Sequence, residues 1–171
     1  MKQNSILAAL LSVGFVSTSA LAADLPVRKA GLWEVSIANE GMPEKVTLKQ
    51  CTDEATDRLM MESGKETATK MGGSCAKYET KKDGSGYVAE AECTFANTKM
   101  VSKTIFSGDF QTDYKAVTDA SYDPPMMGMK QAKTTMTGKY LGACDADQVP
   151  GDVVMPGGVK MNIKELGMMK K

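Results

Sequence analysis

From Gly31 onward the chain alternates apolar and polar side chains with a period of two. Trp33, Val35 and Ile37 alternate with Leu32, Glu34, Ser36 and Ala38, which predicts a strand. Asn39-Glu40-Gly41-Met42-Pro43 is turn chemistry. Val46 and Leu48 then alternate with Lys45, Thr47 and Lys49, predicting a second strand that ends at Cys51. Thr52 or Asp53 can cap a short helix running through Ala55, Arg58, Leu59 and Met60, with acids in its first turn. A polar stretch containing Gly64 and Gly72-Gly73 follows.

The remainder reads as β structure. Segments 75–82 and 86–95 flank Asp83-Gly84-Ser85, a hairpin signal. Tyr87, Ala89, Ala91, Cys93 and Phe95 supply an apolar face, while Val88, Glu90, Glu92 and Thr94 are mostly polar. Further strands are predicted at 100–110, 112–122 and 130–141, where Thr, Val, Ile, Phe and Tyr are frequent and lysines mark half-exposed faces. The expected class is mainly β. It is an antiparallel meander of about seven strands forming a partly open barrel or sandwich, with one short helix and an extended C-terminal tail.

The domain organisation follows from the ends. Lys2, an apolar run from Ile6 to Val16 and Ala20-Leu21-Ala22 have the layout of a cleavable export signal. The apolar run is shorter than the roughly 20 residues that span a bilayer. The reading is a signal peptide at 1–22, a β-rich domain at 23–145 and a Met/Gly/Pro-rich tail at 146–171, with a short helix expected near 162–166. Export places the folded protein in the periplasm.

Composition narrows the partners. The 171 residues carry 21 basic and 21 acidic side chains, and the two signs are interspersed. No field of one sign exists to attract nucleic acid or an anionic membrane. No membrane span and no nucleic-acid partner are expected.

Cys51, Cys75, Cys93 and Cys144 all lie after the leader. An even count in an oxidising compartment implies two disulfides, with three possible connectivities. No Cys-x-x-Cys pair is present, which argues against a redox site or a zinc ribbon. In a meander, strand ends alternate between two rims. If the helical region carries the chain across the sheet before Cys75, then Cys51 and Cys144 share one rim and Cys75 and Cys93 the other. The pairs Cys75–Cys93 and Cys51–Cys144 are therefore favoured. Face matching instead aligns Ala76 with Cys93, and a β-bulge would shift the register by the one residue required. Chain entropy gives the short bridge about 3 kcal/mol and the long one about 4 to 5.

The chain has no histidine. That removes Ser-His-Asp and Cys-His catalysis, His-ligated zinc and the usual neutral-pH base. Glu90 and Glu92 are paired acids on the expected solvent face of one strand, where such pairs are usually solvated and only rarely a glycosidase pair. Gly84-Ser85-Gly86 and Gly157-Gly158 are too short to cradle phosphate. No catalysis and no cofactor are expected.

The compositional oddity is 14 methionines. Met126, Met127 and Met129 crowd one loop after Asp123-Pro124-Pro125, and Met168 and Met169 end the tail. Thioethers are soft ligands suited to Cu(I) or Ag(I). The competing reading is adaptable apolar packing.

The assembled motifs resemble a known family. They are Arg28-Lys29-Ala30-Gly31-Leu32-Trp33-Glu34, Cys51 with Thr-Asp-Glu-Ala-Thr-Asp, the Cys75 and Cys93 hairpin, Phe106-Ser107-Gly108-Asp109-Phe110, Tyr122-Asp123-Pro124-Pro125, Gly138-Lys139-Tyr140-Leu141-Gly142-Ala143-Cys144 and Gly151-Asp152-Val153-Val154. Together they are similar to the bacterial envelope proteins grouped as domain of unknown function 3617. The resemblance implies export and a single domain, and carries no activity with it.

The functional expectation is a periplasmic, non-catalytic binding or envelope-maintenance domain. Its partner would be a small apolar ligand held at the barrel mouth by Trp33, Phe95, Phe106 and Tyr114, or an envelope protein. Alternatives are Cu(I) or Ag(I) bound by Met126, Met127, Met129, Met168 and Met169, and a tail that engages a protein partner.

Overall fold

The computed structural model describes residues 25–61, 73–95 and 97–165. Its strands are β1 (Gly31–Asn39), β2 (Val46–Thr52), β3 (Ser74–Asp83), β4 (Gly86–Phe95), β5 (Thr98–Gly108), β6 (Asp113–Met126), β7 (Met129–Gly142), β8 (Asp152–Val154) and β9 (Lys160–Asn162). One helix, α1 (54–61), follows β2. All nine strands join one sheet in the order β3-β4-β5-β6-β7-β1-β2-β8-β9, and the pairings are antiparallel. β3 and β9 are its edges and do not pair with each other, so the sheet is open.

The first seven strands lie where alternation, turn signals and β-propensity put them. β8 and β9 are additional. They pair onto β2 and onto each other, carrying the expected tail into the sheet. Each is only 3 residues long, too short for a period-two pattern to register. At 163–165 the chain makes a turn in place of the expected helix. Buried Val153 and Ile163 make this segment part of the core.

Register sorts the side chains onto two faces. On the core face, Trp33 lies opposite Tyr140, Val35 opposite Leu48 and Gly138, and Ile37 opposite Met136. Tyr114 and Ala116 continue that face on β6, and Phe106 on β5. The buried cluster comprises Trp33, Val35, Leu48, Phe110, Tyr114, Val153 and Ile163, with Met60, Met136, Met155 and Met161 packed against it. Gly138 is required here. A Cβ at that position would collide with the Tyr114 ring, so only glycine lets the ring cross β7.

An ion pair sits inside this apolar cluster. Arg28 donates from Nε to Asp57 Oδ1 at 2.7 Å and from its backbone N to Asp57 Oδ2 at 2.7 Å. Its Nη1 donates to Gln50 Oε1 at 2.9 Å. The guanidinium stands 5.7 Å from the Trp33 ring centroid and 5.6 Å from that of Tyr114. Trp33 Nε1 donates to the Lys29 carbonyl at 2.8 Å. A buried charge demands a partner of opposite sign and filled hydrogen bonds, and every element of this node supplies one.

Asp57 reaches Arg28 because α1 starts at a defined place. Asp53 Oδ1 accepts from Thr56 N at 2.8 Å, and Thr56 Oγ1 accepts from Asp53 N at 2.9 Å. The two side chains thereby satisfy each other's free backbone donors at the helix start. Of the two expected caps, Asp53 is the residue used.

The disulfides are Cys51–Cys144 and Cys75–Cys93, the two pairs that strand direction favours. Cys75 stands directly opposite Cys93 and Lys77 opposite Glu92, leaving Ala76 as the extra residue of a bulge. The bulge supplies the one-residue shift that face matching requires.

Two stability outcomes follow. Arg28→Met strands a buried carboxylate and lowers unfolding free energy by about 3 to 5 kcal/mol in urea titration. The double change Arg28→Met/Asp57→Leu recovers most of that loss, since neither charge then remains. Separately, Met127 and Gly128 form a two-residue turn with φ of 50° and 81°, a conformation that favours Asn-Gly. Met127→Asn raises stability by about 1 kcal/mol in the same assay.

Candidate functional site

The face of β3–β7 opposite the core carries a row of alternating charge. Glu90 pairs in register with Lys103, Lys103 with Asp119 and Asp119 with Lys133. Glu40 extends the row, donating its backbone N to the Lys133 carbonyl at 2.8 Å. Opposite charges directly across neighbouring strands attract, so the row favours this register over a slipped one. A second row, Glu92, Val101, Ser121 and Gln131, runs beside it. Between and around the rows lies an open groove of about 820 Å³.

The charges of the groove engage one another. Lys77 Nζ donates to Glu90 Oε2 at 2.7 Å. Lys133 lies 3.6 Å from Asp119, and Lys99 lies 3.2 Å from Glu92. The hydrogen bond from Lys77, reinforced by its charge, holds the Glu90 carboxyl below the usual glutamate range. The same bond raises Lys77. Glu90 therefore stays ionised at neutral pH and is a poor proton donor. Half-exposed pairs of this kind stabilise a fold only slightly, so their arrangement matters more for recognition than for folding.

The aromatic residues expected to line a barrel mouth do something else. Trp33 is 0 % exposed and Tyr114 is 8 % exposed, and both fill the interior. Phe106 packs against the same cluster. Phe95 stands apart, at the far end of β4. It lies eight residues from Tyr87, whose ring meets Phe110 edge-on at 6.4 Å between centroids. At the usual strand rise that is about 26 Å away. The sheet brings three of the four together as packing and leaves the fourth on the other rim. The interior that would have held an apolar ligand is occupied by side chains.

The methionine candidates divide in the same way. Met126 and Met129 face each other across the β6–β7 turn, and Met127 at its tip is 92 % exposed. Met168, Met169 and the expected signal peptide lie outside the described residues. Among the described residues, no group of three or more His, Cys, Asp or Glu could hold a metal ion. No helix among them is long and apolar enough to cross a membrane.

Sequence reasoning missed the charged row and the buried Arg28–Asp57 node. The row was discoverable in principle. Glu90, Lys103, Asp119 and Lys133 each sit at a polar position of a recognised strand, but their alignment needs the hairpin registers. The node had no pattern to announce it.

Titration behaviour adds a pH prediction. The Asp109 carboxylate accepts from the backbone N of Thr112 at 2.7 Å and of Gln111 at 2.8 Å. These bonds hold it well below the usual aspartate range. The backbone N–H of Thr56 lowers Asp53. In Asp152, burial pushes the carboxyl up, but donation from Val149 and Asn162 outweighs it and the net shift is down. Folded values below unfolded ones mean stability that is present above the unfolded value and lost as pH falls. Tyr114 and Lys77 are raised, by burial and by Glu90 respectively, so their contribution is lost as pH climbs past about 10. With no histidine in the chain, the urea midpoint should stay flat from pH 5 to pH 8. It should fall below about pH 4, less steeply in Asp109→Asn.

No curated protein and no solved structure matches the chain. A family model does, over residues 28–144. That segment opens on the buried Arg28, closes on the disulfide partner Cys144 and contains β1 to β7 with the whole charged row. The chain belongs to the family of proteins of unknown function DUF3617.

Proposed function

We propose that this is an exported, periplasmic, non-catalytic domain that binds another envelope protein through the groove on its charged face. The observation that carries the reading is the row of alternating charge from Glu90 to Glu40 beside the half-exposed Val101. Two disulfides are in keeping with an oxidising compartment. The absence of histidine and the ionised, lysine-bound Glu90 support a binding role over acid–base chemistry.

The groove's chemistry selects the class of partner. Alternating signs leave no net field, so an anionic polymer gains nothing there. A small ligand is usually bound in a cavity that buries most of its surface, whereas this groove is open along the sheet. A protein surface of complementary mixed charge fits best. Paired rim charges give register and specificity, and the apolar Val101 sits among them. Trp33 and Tyr114 pack in the interior, which favours the groove over an apolar ligand held by those rings.

Site-specific photo-crosslinking in the native envelope tests the proposal. A photoreactive residue at Val101, Ser121 or Gln131 should give one discrete protein adduct, and one at Lys49 on β2 should not. Lys103→Glu, which places three acids in line, should abolish the Val101 adduct while the protein still melts cooperatively. Equal labelling from Lys49, or no adduct from any groove position, would remove the groove from consideration.

A further inference from the structure

The methionines of this protein serve two different ends. Met60, Met136, Met155 and Met161 pack against the core cluster, where a flexible thioether fills irregular space. Met126, Met127 and Met129 do not belong to that cluster. They occupy the β6–β7 turn, at the end of β7 remote from Cys144.

Neither burial nor backbone preference accounts for methionine in this turn. Met127 has φ of 50° and is 92 % exposed. The position suits Asn or Gly, and a long apolar side chain there gains nothing from packing. Met129 is also exposed, at 41 %. Met126 and Met129 are direct cross-strand partners, so their side chains leave the same face of the hairpin with Cβ atoms about 5 Å apart. Two thioethers on one face and a third, exposed, at the tip place three soft, neutral donors within one four-residue turn.

The geometry points to a binding site for a soft monovalent cation, Cu(I) or Ag(I), formed by the Met126, Met127 and Met129 thioethers. Thioether sulfur selects such ions over the hard divalent ones. Unlike a thiol, it binds without losing a proton and cannot be consumed by disulfide formation. Those properties suit an oxidising compartment where all four cysteines are already paired. The site uses none of the groove residues, so it stands or falls independently of partner binding.

Ag(I), which needs no reductant, is the first probe, followed by Cu(I) under anaerobic conditions in competition with a chromogenic chelator. The full exported chain carrying ¹³C-methyl methionine is titrated and followed by NMR. The methyl signals of Met126, Met127 and Met129 should shift at one equivalent, while those of Met136 and Met155 stay in place. The triple variant Met126→Leu/Met127→Leu/Met129→Leu keeps apolar bulk and should bind at least 100-fold more weakly. Shifts confined to methionines outside the turn, affinity weaker than micromolar, or equal affinity in the triple variant would each overturn the assignment.

Discussion

Arg28 brings a permanent charge into a place where Trp33 has no solvent exposure and Asp57 almost none. Such a charge is tolerated only when its partners are fixed beforehand. The ring faces of Trp33 and Tyr114 come from β1 and β6, Gln50 from β2 and Asp57 from α1. Four elements, the consecutive β1, β2 and α1 together with the distant β6, must therefore agree on one arrangement before the charge can be buried. Misplacing any of them leaves an ion without compensation, which costs more than a misplaced apolar side chain.

With the core side settled, the opposite face of β3–β7 is free for other work. Its lysines and acids neutralise one another across strands, and this also discourages the long β3 edge strand, with Lys77, Lys81 and Lys82, from pairing with another copy. The two faces of one sheet thus divide the labour. One is packed around aromatic rings, and the other carries the charged row and the open groove.

Alternation in β1, β2 and β4 and β-propensity in β5 to β7 made the seven long strands legible, with the Asp83-Gly84-Ser85 turn marking β3. The tail was not legible. Its three-residue strands hold through partners far away, Gly151 N to Cys51 O and Ile163 N to Gly151 O, and no local pattern encodes them. The helix misled in a different way. Ala55 and Arg58 are exposed, while Thr56 and Asp57 are buried, so the buried side is polar. An apolar search finds the helix and the core-packed Met60 but not the buried Thr56 and Asp57. Of the four aromatic residues read as ligand contacts, Trp33, Phe106 and Tyr114 pack in or against the core cluster, and no count of aromatics distinguishes a filled core from a lined cavity.

The nested cross-links have a consequence for biogenesis. Cys51 is joined to a residue 93 positions later, and both members of the other pair fall between the two. A chain delivered N-terminus first into an oxidising compartment would present Cys51, Cys75 and Cys93 to oxidant before Cys144. The earliest available bond, Cys51 to Cys75, is a non-native one. Correct maturation thus requires that Cys51 stay unpaired until Cys144 arrives, while Cys75 pairs with Cys93, or that a thiolate reopen a wrong bond by exchange. The protein's yield is coupled in this way to the shuffling capacity of its surroundings as well as to their oxidising power.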